Sequence, residues 1–178
     1  KRIKDKNFLP FGNSNLLEEK IKTLKGLSWV DMICISTDSE KAKEIGRSHG
    51  CAIHNRTAYY CDETLCNFSE VVTNIVSSLD ADYILWSSCV CPNIRKSTYE
   101  KLNDATRLVN DGQFDSLVSV EEYKDYFLYE SVPVNFSLGK GHLKTQDLPP
   151  IYRLTGGIYY AQRDAMLKWE YLFGGNVC

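Results

Sequence analysis

The sequence contains no apolar run approaching the ~18 residues that a membrane-crossing helix requires, and its opening KRIKDKN has none of the pattern of a secretion signal. The expectation is a cytoplasmic protein with no membrane partner. Histidine is scarce, with three residues, and none stands at ligand spacing from a cysteine. No CxxC pair occurs: Cys61/Cys66 and Cys89/Cys91 have other spacings, and no second pair completes a zinc set. The seven cysteines are an odd number, which argues against a disulfide framework and for a reduced compartment. Cys34 and Cys51 lie in strand-like apolar runs, where a thiol acts as a small hydrophobe. There is no Walker A loop, no GxGxxG and no GxSxG elbow. Covalent catalysis by Cys89 or Cys91 has no histidine placed to support it. Net charge is only −2, so there is no general basic field to attract nucleic acid.

What the chain does hold is enough for a core. Its 178 residues, 43% hydrophobic and 12% aromatic, suit a single globular domain. Asn15 with Glu18 is a capping-box pattern, and Leu16, Leu17, Ile21 and Leu24 follow it at helical spacing, which predicts a helix over 15–27. A strand is expected over 30–36, then a helix opened by Thr37 and Glu40 and closed by Gly50, then a short strand over 51–53. Phe68, Val71, Val72, Ile75, Val76 and Leu79 mark a strong helix. A buried strand over 83–86, a helix capped by Ser97 and Glu100, and a strand over 114–120 follow. This alternation predicts an α/β fold with a mainly parallel sheet flanked by helices, whose ligands bind outside the carboxyl ends of the strands. After Val120 the helical period disappears. Residues 121–143 carry Tyr123, Tyr126, Phe127, Tyr129 and Phe136 with Pro133, and read as an extended arm turning at Gly139-Lys140-Gly141. Exposed aromatics on an arm suit an interface.

Several residues could carry chemistry. Lys1, Arg2, Lys4 and Lys6 crowd the first six positions, as a solvated charged end or as a phosphate-binding loop. Asp38 follows a strand directly, as a helix-start residue or as a metal or ribose contact. Arg56 lies in a polar loop past a strand end, and Asn67 precedes a helix as a cap or as part of an anion site. Small polar residues over 87–91 follow the central strand and could line a pocket. The densest pattern is QDLPPIYRLTGGIYY at 146–160. Pro149-Pro150 stiffens the approach, Arg153 presents a charged fork suited to carboxylate or phosphate, and Gly156-Gly157 opens into a β-type run.

That last phrase resembles QDLPPxYRxNGAIY of the acylneuraminate cytidylyltransferases, which make CMP-sialic acids. Other segments are similar in the same order: Lys1, Lys6 and Asn7 to the end of the family's nucleotide loop, Ser36-Thr37-Asp38 to its STD, Arg56 with 62–67 to its arginine-led loop, and 88–92 to its QPTSP. The resemblance implies a Rossmann-like nucleotide-diphospho-sugar transferase fold with a dimerisation arm over 121–150. It implies an enzyme joining CTP to a nonulosonic α-keto sugar acid for surface glycans such as lipopolysaccharide or capsule, with release of pyrophosphate and with magnesium. By match, Lys1, Lys6 and Asn7 hold the triphosphate, with Lys6 and Arg153 in the catalytic roles. Arg56 and Asn67 face the nucleoside. Ser88, Gln146, Arg153 and Thr155 serve the sugar acid, Arg153 on its carboxylate. The chain departs from the pattern at Ser88, where the family has glutamine, at Thr155 in place of asparagine, at Asn67 in place of serine, and at Lys144-Thr145 in place of an arginine. The family's first strand and its acidic magnesium motif have no counterpart within residues 1–178, so the magnesium ligands are expected outside them. A binding protein without catalysis, and a cytidylyltransferase for another keto sugar acid, are the alternative readings.

Overall fold

The computed structural model describes Ile3 and residues 5–178. Contacts divide them into two units. The first comprises residues up to 118 together with 157–178, and the second comprises 119–156.

In the first unit a 3-10 turn, Lys6–Phe8, and the small antiparallel ladder β1 (Pro10–Phe11) with β2 (Ser14–Asn15) lead into α1 (Leu16–Lys25). The Asn15 side chain accepts from the Glu18 backbone N–H at 3.0 Å, so the cap read from sequence forms. Strand β3 (Cys34–Thr37), helix α2 (Glu40–Ser48) and strand β4 (Ala52–Asn55) make a parallel β-α-β unit, with Ile35 opposite Ile53. The cap of α2 is Ser39 rather than Thr37. Ser39 accepts from the Ala42 backbone, while Thr37 instead accepts from the Ser39 backbone N–H in a local turn. Helix α2 lies close on its two strands: a Cβ at Gly46 would come within 2.7 Å of the Ile35 and Ile53 side chains. Gly46→Val is therefore expected to cost about 1–3 kcal/mol, read by denaturant unfolding, because the helix must lift from the sheet. An unchanged midpoint would mean that the two isoleucines simply rotate away.

Helix α3 (Phe68–Ser77) starts at a full capping box between Asn67 and Glu70. Strand β5 (Tyr83–Ser87), helix α4 (Lys96–Asn110) and strand β6 (Ser116–Tyr123) follow. The residue capping α4 is Arg95, with no side-chain cap, so Ser97 and Glu100 lie inside the helix and do not open it. Strand β9 (Ile151–Gln162) is the largest departure from expectation. It inserts between β5 and β6 and runs antiparallel to β5, pairing Leu85 with Tyr160. The parallel character expected is thus only partial: β3 and β4 pair in parallel in a sheet of their own, while β9 runs antiparallel to β5 in another. Helix α5 (Arg163–Trp169) turns back on α3 and closes a core of Val72, Val76, Ile84, Ala161, Met166 and Leu172. At the other end of the chain, Val177 bridges Ser116 in parallel.

The second unit contains the hairpin β7 (Leu128–Tyr129) and β8 (Val132–Pro133), whose turn is Glu130-Ser131, both at positive φ. Gly139–Gly141, where a turn is expected from sequence, forms a separate 3-10 turn beyond this hairpin. Opposed positive-φ residues suit the right-handed twist of a two-residue hairpin. Tyr126, Phe136 and His142 pack their rings together, and the Asn135 side chain ties the Asp125, Phe127 and Pro149 backbones. Exposed apolar residues remain on this unit, among them Leu128, Tyr129 and Leu138.

Candidate functional site

Three strands of the first unit, β3, β4 and β5, end in polar residues: Thr37, Asn55 and Ser87. Around β3 and β5 lies a cavity of about 790 Å³. It has two parts. The apolar part is lined by α1 and α3 side chains such as Leu24 and Ile75 and by Ile35 and Ile84 of the two strands. Among the described residues, β3 pairs only with β4 and β5 only with β9, so each presents one unpaired edge. The polar part is lined by Asn7, Lys20, Ser36, Arg56, Ser88 and Cys89.

Of the residues singled out from sequence, Asn7, Arg56 and Ser88 therefore meet at one place. Asn7 Oδ1 and Arg56 Nε are both buried with no hydrogen-bond partner among the described residues. A buried polar atom left without a partner is costly, and its natural complement here is a ligand. The Arg56 backbone N–H donates to the Thr37 carbonyl at 3.1 Å, which ties the two strand ends together. Next to Arg56 stands Cys61, whose thiol is pushed up by burial, with Arg56 and Asp38 both in reach of it. The Ser88 backbone N–H donates to the Gly157 carbonyl at 3.0 Å, which anchors the 88–92 loop to β9.

Lys6 is exposed on its 3-10 turn, yet its charge reaches Cys89 together with that of Lys20. Burial outweighs both lysines, so the Cys89 thiol is held up and protonated at neutral pH, contrary to what a nucleophile needs. Asn67 does not line the cavity. Its Oδ1 accepts from the Glu70 backbone at 2.9 Å, as a helix cap does. Lys1 lies outside the described residues.

In the second unit, Arg153 is exposed, ion-paired with Glu121 and set with its guanidinium 5.7 Å from the centre of the Tyr123 ring. The hydrogen bond from Arg153 holds the Glu121 carboxyl below its usual range. Thr155 Oγ1 lies 2.5 Å from the Ser119 hydroxyl, and Gln146 sits on a 3-10 turn, Thr145–Asp147. Arg153, Thr155 and Gln146 belong to one unit, and Asn7, Arg56 and Ser88 to the other. Gly156-Gly157 lie within β9 and do not open it. Gly156 takes φ +71°, and the strand already runs from Ile151.

Lys20 escaped the sequence reading. Its helix holds lysines at 20, 22 and 25, which look like a solvated face. The signal was present all the same, because Lys20 falls three residues after Leu17 and four before Leu24, inside the apolar stripe. No three histidine, cysteine, aspartate or glutamate side chains come together as a metal set among the described residues. The described residues therefore do not make up a magnesium site.

The fold is an α/β nucleotidyltransferase-like fold that matches solved cytidylyltransferase structures. CMP:2-keto-3-deoxy-manno-octonic acid synthetase complexed with CTP superposes with a TM-score of 0.63 at 13% identity, over 94% of this chain and 71% of that one. The 4-diphosphocytidyl-2C-methyl-D-erythritol synthase of Anaerococcus prevotii gives 0.61 at 14% identity, over 91% and 66%. The family model described as Cytidylyltransferase matches residues 1–125, and the chain belongs to that family, which makes it a nucleotidyltransferase. Among curated relatives, the pseudaminic acid cytidylyltransferase of Campylobacter jejuni (strain 81-176) is 23% identical over 97% of this chain and 78% of its own length. The bifunctional pseudaminic acid cytidylyltransferase and UDP-2,4-diacetamido-2,4,6-trideoxy-beta-L-altropyranose hydrolase of Helicobacter pylori is 22% identical over 99% of this chain, which spans 35% of that protein. No helix among the described residues is long and apolar enough to cross a membrane.

Proposed function

We propose that this cytidylyltransferase joins CTP to a nonulosonic α-keto sugar acid, with pseudaminic acid the first candidate and sialic-type acids the next. A sugar hydroxyl attacks the α-phosphorus. The new O–P bond forms as the bond to the departing pyrophosphate breaks, and the hydroxyl proton is released. The observation that carries the reading is the convergence of Asn7, Arg56 and Ser88, two of them with unsatisfied polar atoms, at the strand carboxyl ends. The names of the curated relatives support the class of sugar. In this reading Lys1, Lys6 and Asn7 hold the triphosphate. Arg56 faces the nucleoside. In the second unit, Gln146, Arg153 and Thr155 serve the sugar acid, with Arg153 on the carboxylate. Positioning and charge neutralisation supply the rate. Magnesium, with ligands outside residues 1–178, a homodimer built through 121–150 and a cytoplasmic location belong to the same proposal.

The test is pyrophosphate release from CTP with magnesium and a panel of pseudaminic, sialic and shorter keto sugar acids. Turnover with a nonulosonic acid is the expected result. CTP binding by calorimetry without turnover on any acid would instead favour a binding protein, the reading prompted by Ser88 in place of a glutamine. Product from only a shorter keto acid would move the substrate class.

The apolar part of the cavity belongs to the proposal too. An extended apolar segment additional to residues 1–178 fits between the open edges of β3 and β5 and joins the two sheets. In a longer natural chain, the β3 and β5 amides that point away from β4 and β9 should exchange with solvent at least about 10-fold more slowly than in residues 1–178, since a ladder bond must open first. Equal exchange in both chains would remove the segment.

A further inference from the structure

Lys20 is an oddity of burial. It is 6% exposed on α1, among the core residues Leu17 and Ile21. Its Nζ donates to the Tyr99 hydroxyl at 2.8 Å and to the Cys91 carbonyl at 3.2 Å, and lies 5.2 Å from the centre of the Tyr99 ring. Tyr99 is itself fully buried, and its hydroxyl lies 2.6 Å from Ser87 Oγ at the end of β5. Every one of these partners is neutral. Among the described residues, no carboxylate forms an ion pair with Lys20.

A buried ammonium without a countercharge is expensive for the fold, since neutral acceptors recover only part of its lost hydration. An ammonium carries three donors, and two are accounted for here. The same side chain lines the polar part of the cavity with Asn7, with Ser88 and with Arg56, whose Nε–H is a buried donor without a partner among the described residues. Lys6 acts on Cys89 from the same neighbourhood. Asp31, Asp80 and Asp82 also line the cavity, but none of them pairs with Lys20, so a cation retained at this cost beside the Arg56 guanidinium still lacks a countercharge.

We propose that Lys20 is a further anion-binding residue of this site, whose countercharge is the polyphosphate of the bound nucleotide. The inference rests on the cytidylyltransferase reading above. Tyr99 and the Cys91 carbonyl hold the ammonium in place before the ligand arrives, so little side-chain entropy is lost on binding. The same contacts make Lys20 the link between the nucleotide and the 88–92 loop.

The test uses thermal unfolding and calorimetry on the wild type and on Lys20→Met, with tripolyphosphate and CTP as probes. Methionine matches the lysine stem and removes the charge. The expected result has two parts: Lys20→Met unfolds no lower than the wild type without ligand, and binds tripolyphosphate at least about 10-fold more weakly. A purely structural lysine clamping the loop gives the opposite pattern, with a lower unfolding temperature and unchanged tripolyphosphate affinity, and that would overturn the proposal. If Lys20→Met does not fold, Lys20→Gln, which keeps a polar contact without charge, serves the same comparison. A wild type that binds tripolyphosphate but turns over no sugar acid sinks the activity and leaves Lys20 standing. A wild type indifferent to tripolyphosphate overturns Lys20 even where turnover is found.

Discussion

Replacing Arg153 by alanine is expected to lower kcat/KM for the sugar acid about 30- to 100-fold while leaving the KM for CTP within about 3-fold. The magnitude follows from one charge-assisted, bidentate contact at ~2–3 kcal/mol. Arg153 stands on β9, and its guanidinium is already held by Glu121 and lies over the Tyr123 ring. That arrangement orients the fork, but it also sets Glu121 in competition with any incoming carboxylate. Arg153→Lys should therefore recover little, because a point charge cannot reproduce the planar fork or its stacking. Glu121→Gln should leave the arginine better available and lower the KM for the sugar acid. Steady-state kinetics with each substrate varied in turn decides the matter. Equal losses for both substrates would mean that Arg153 maintains its unit rather than the sugar acid.

The second large effect concerns stability. Met166→Ala is expected to cost about 2–5 kcal/mol, measured by urea unfolding, with a fall in midpoint temperature of roughly 6–15 °C. Met166 is fully buried in α5 against Val72, Val76, Ile84 and Leu172. Helix α5 has only seven residues, too few to be stable without its packing. The truncation leaves a hole where α5 meets α3, and it removes the contact that returns the chain after β9. Helix α3 also carries the cap at Asn67, so loosening here should reach the loop before it. A loss below 1 kcal/mol would show that Leu172 and its neighbours collapse into the space.

How much could be read in advance depended on distance along the chain. Asn15 and Asn67 were legible as caps because each acts on a backbone N–H three residues away. Ser97 was misread because an equally good local pattern lay inside a helix that starts earlier, at Lys96. The mainly parallel sheet was misread for a different reason. Alternating strands and helices do predict crossovers, and β3-α2-β4 obeys. Nothing local announces that β9 will return and insert antiparallel beside β5, because that choice is made by surfaces over seventy residues apart in the chain. In the site, Arg56 and Asn7 stood out through their residue types and the resemblance, and the cavity then brought them together. Lys20 did not stand out, because lysine on a helix usually lies in water, and only its position in the apolar stripe said otherwise.

By itself the sequence determined the α/β class, most of the helices, the family and the identity of the polar residues that could serve an anion. These follow from periodicity, capping and short motifs, which act over a turn or a strand. Only the tertiary structure decided that β9 runs antiparallel to β5, that β3 and β5 each keep an open edge, and that Asn7, Arg56 and Ser88 share one cavity with a buried lysine. Those outcomes depend on which distant surfaces exclude water together, and on whether a buried charge finds a partner. Neither is written in the spacing of residues along the chain.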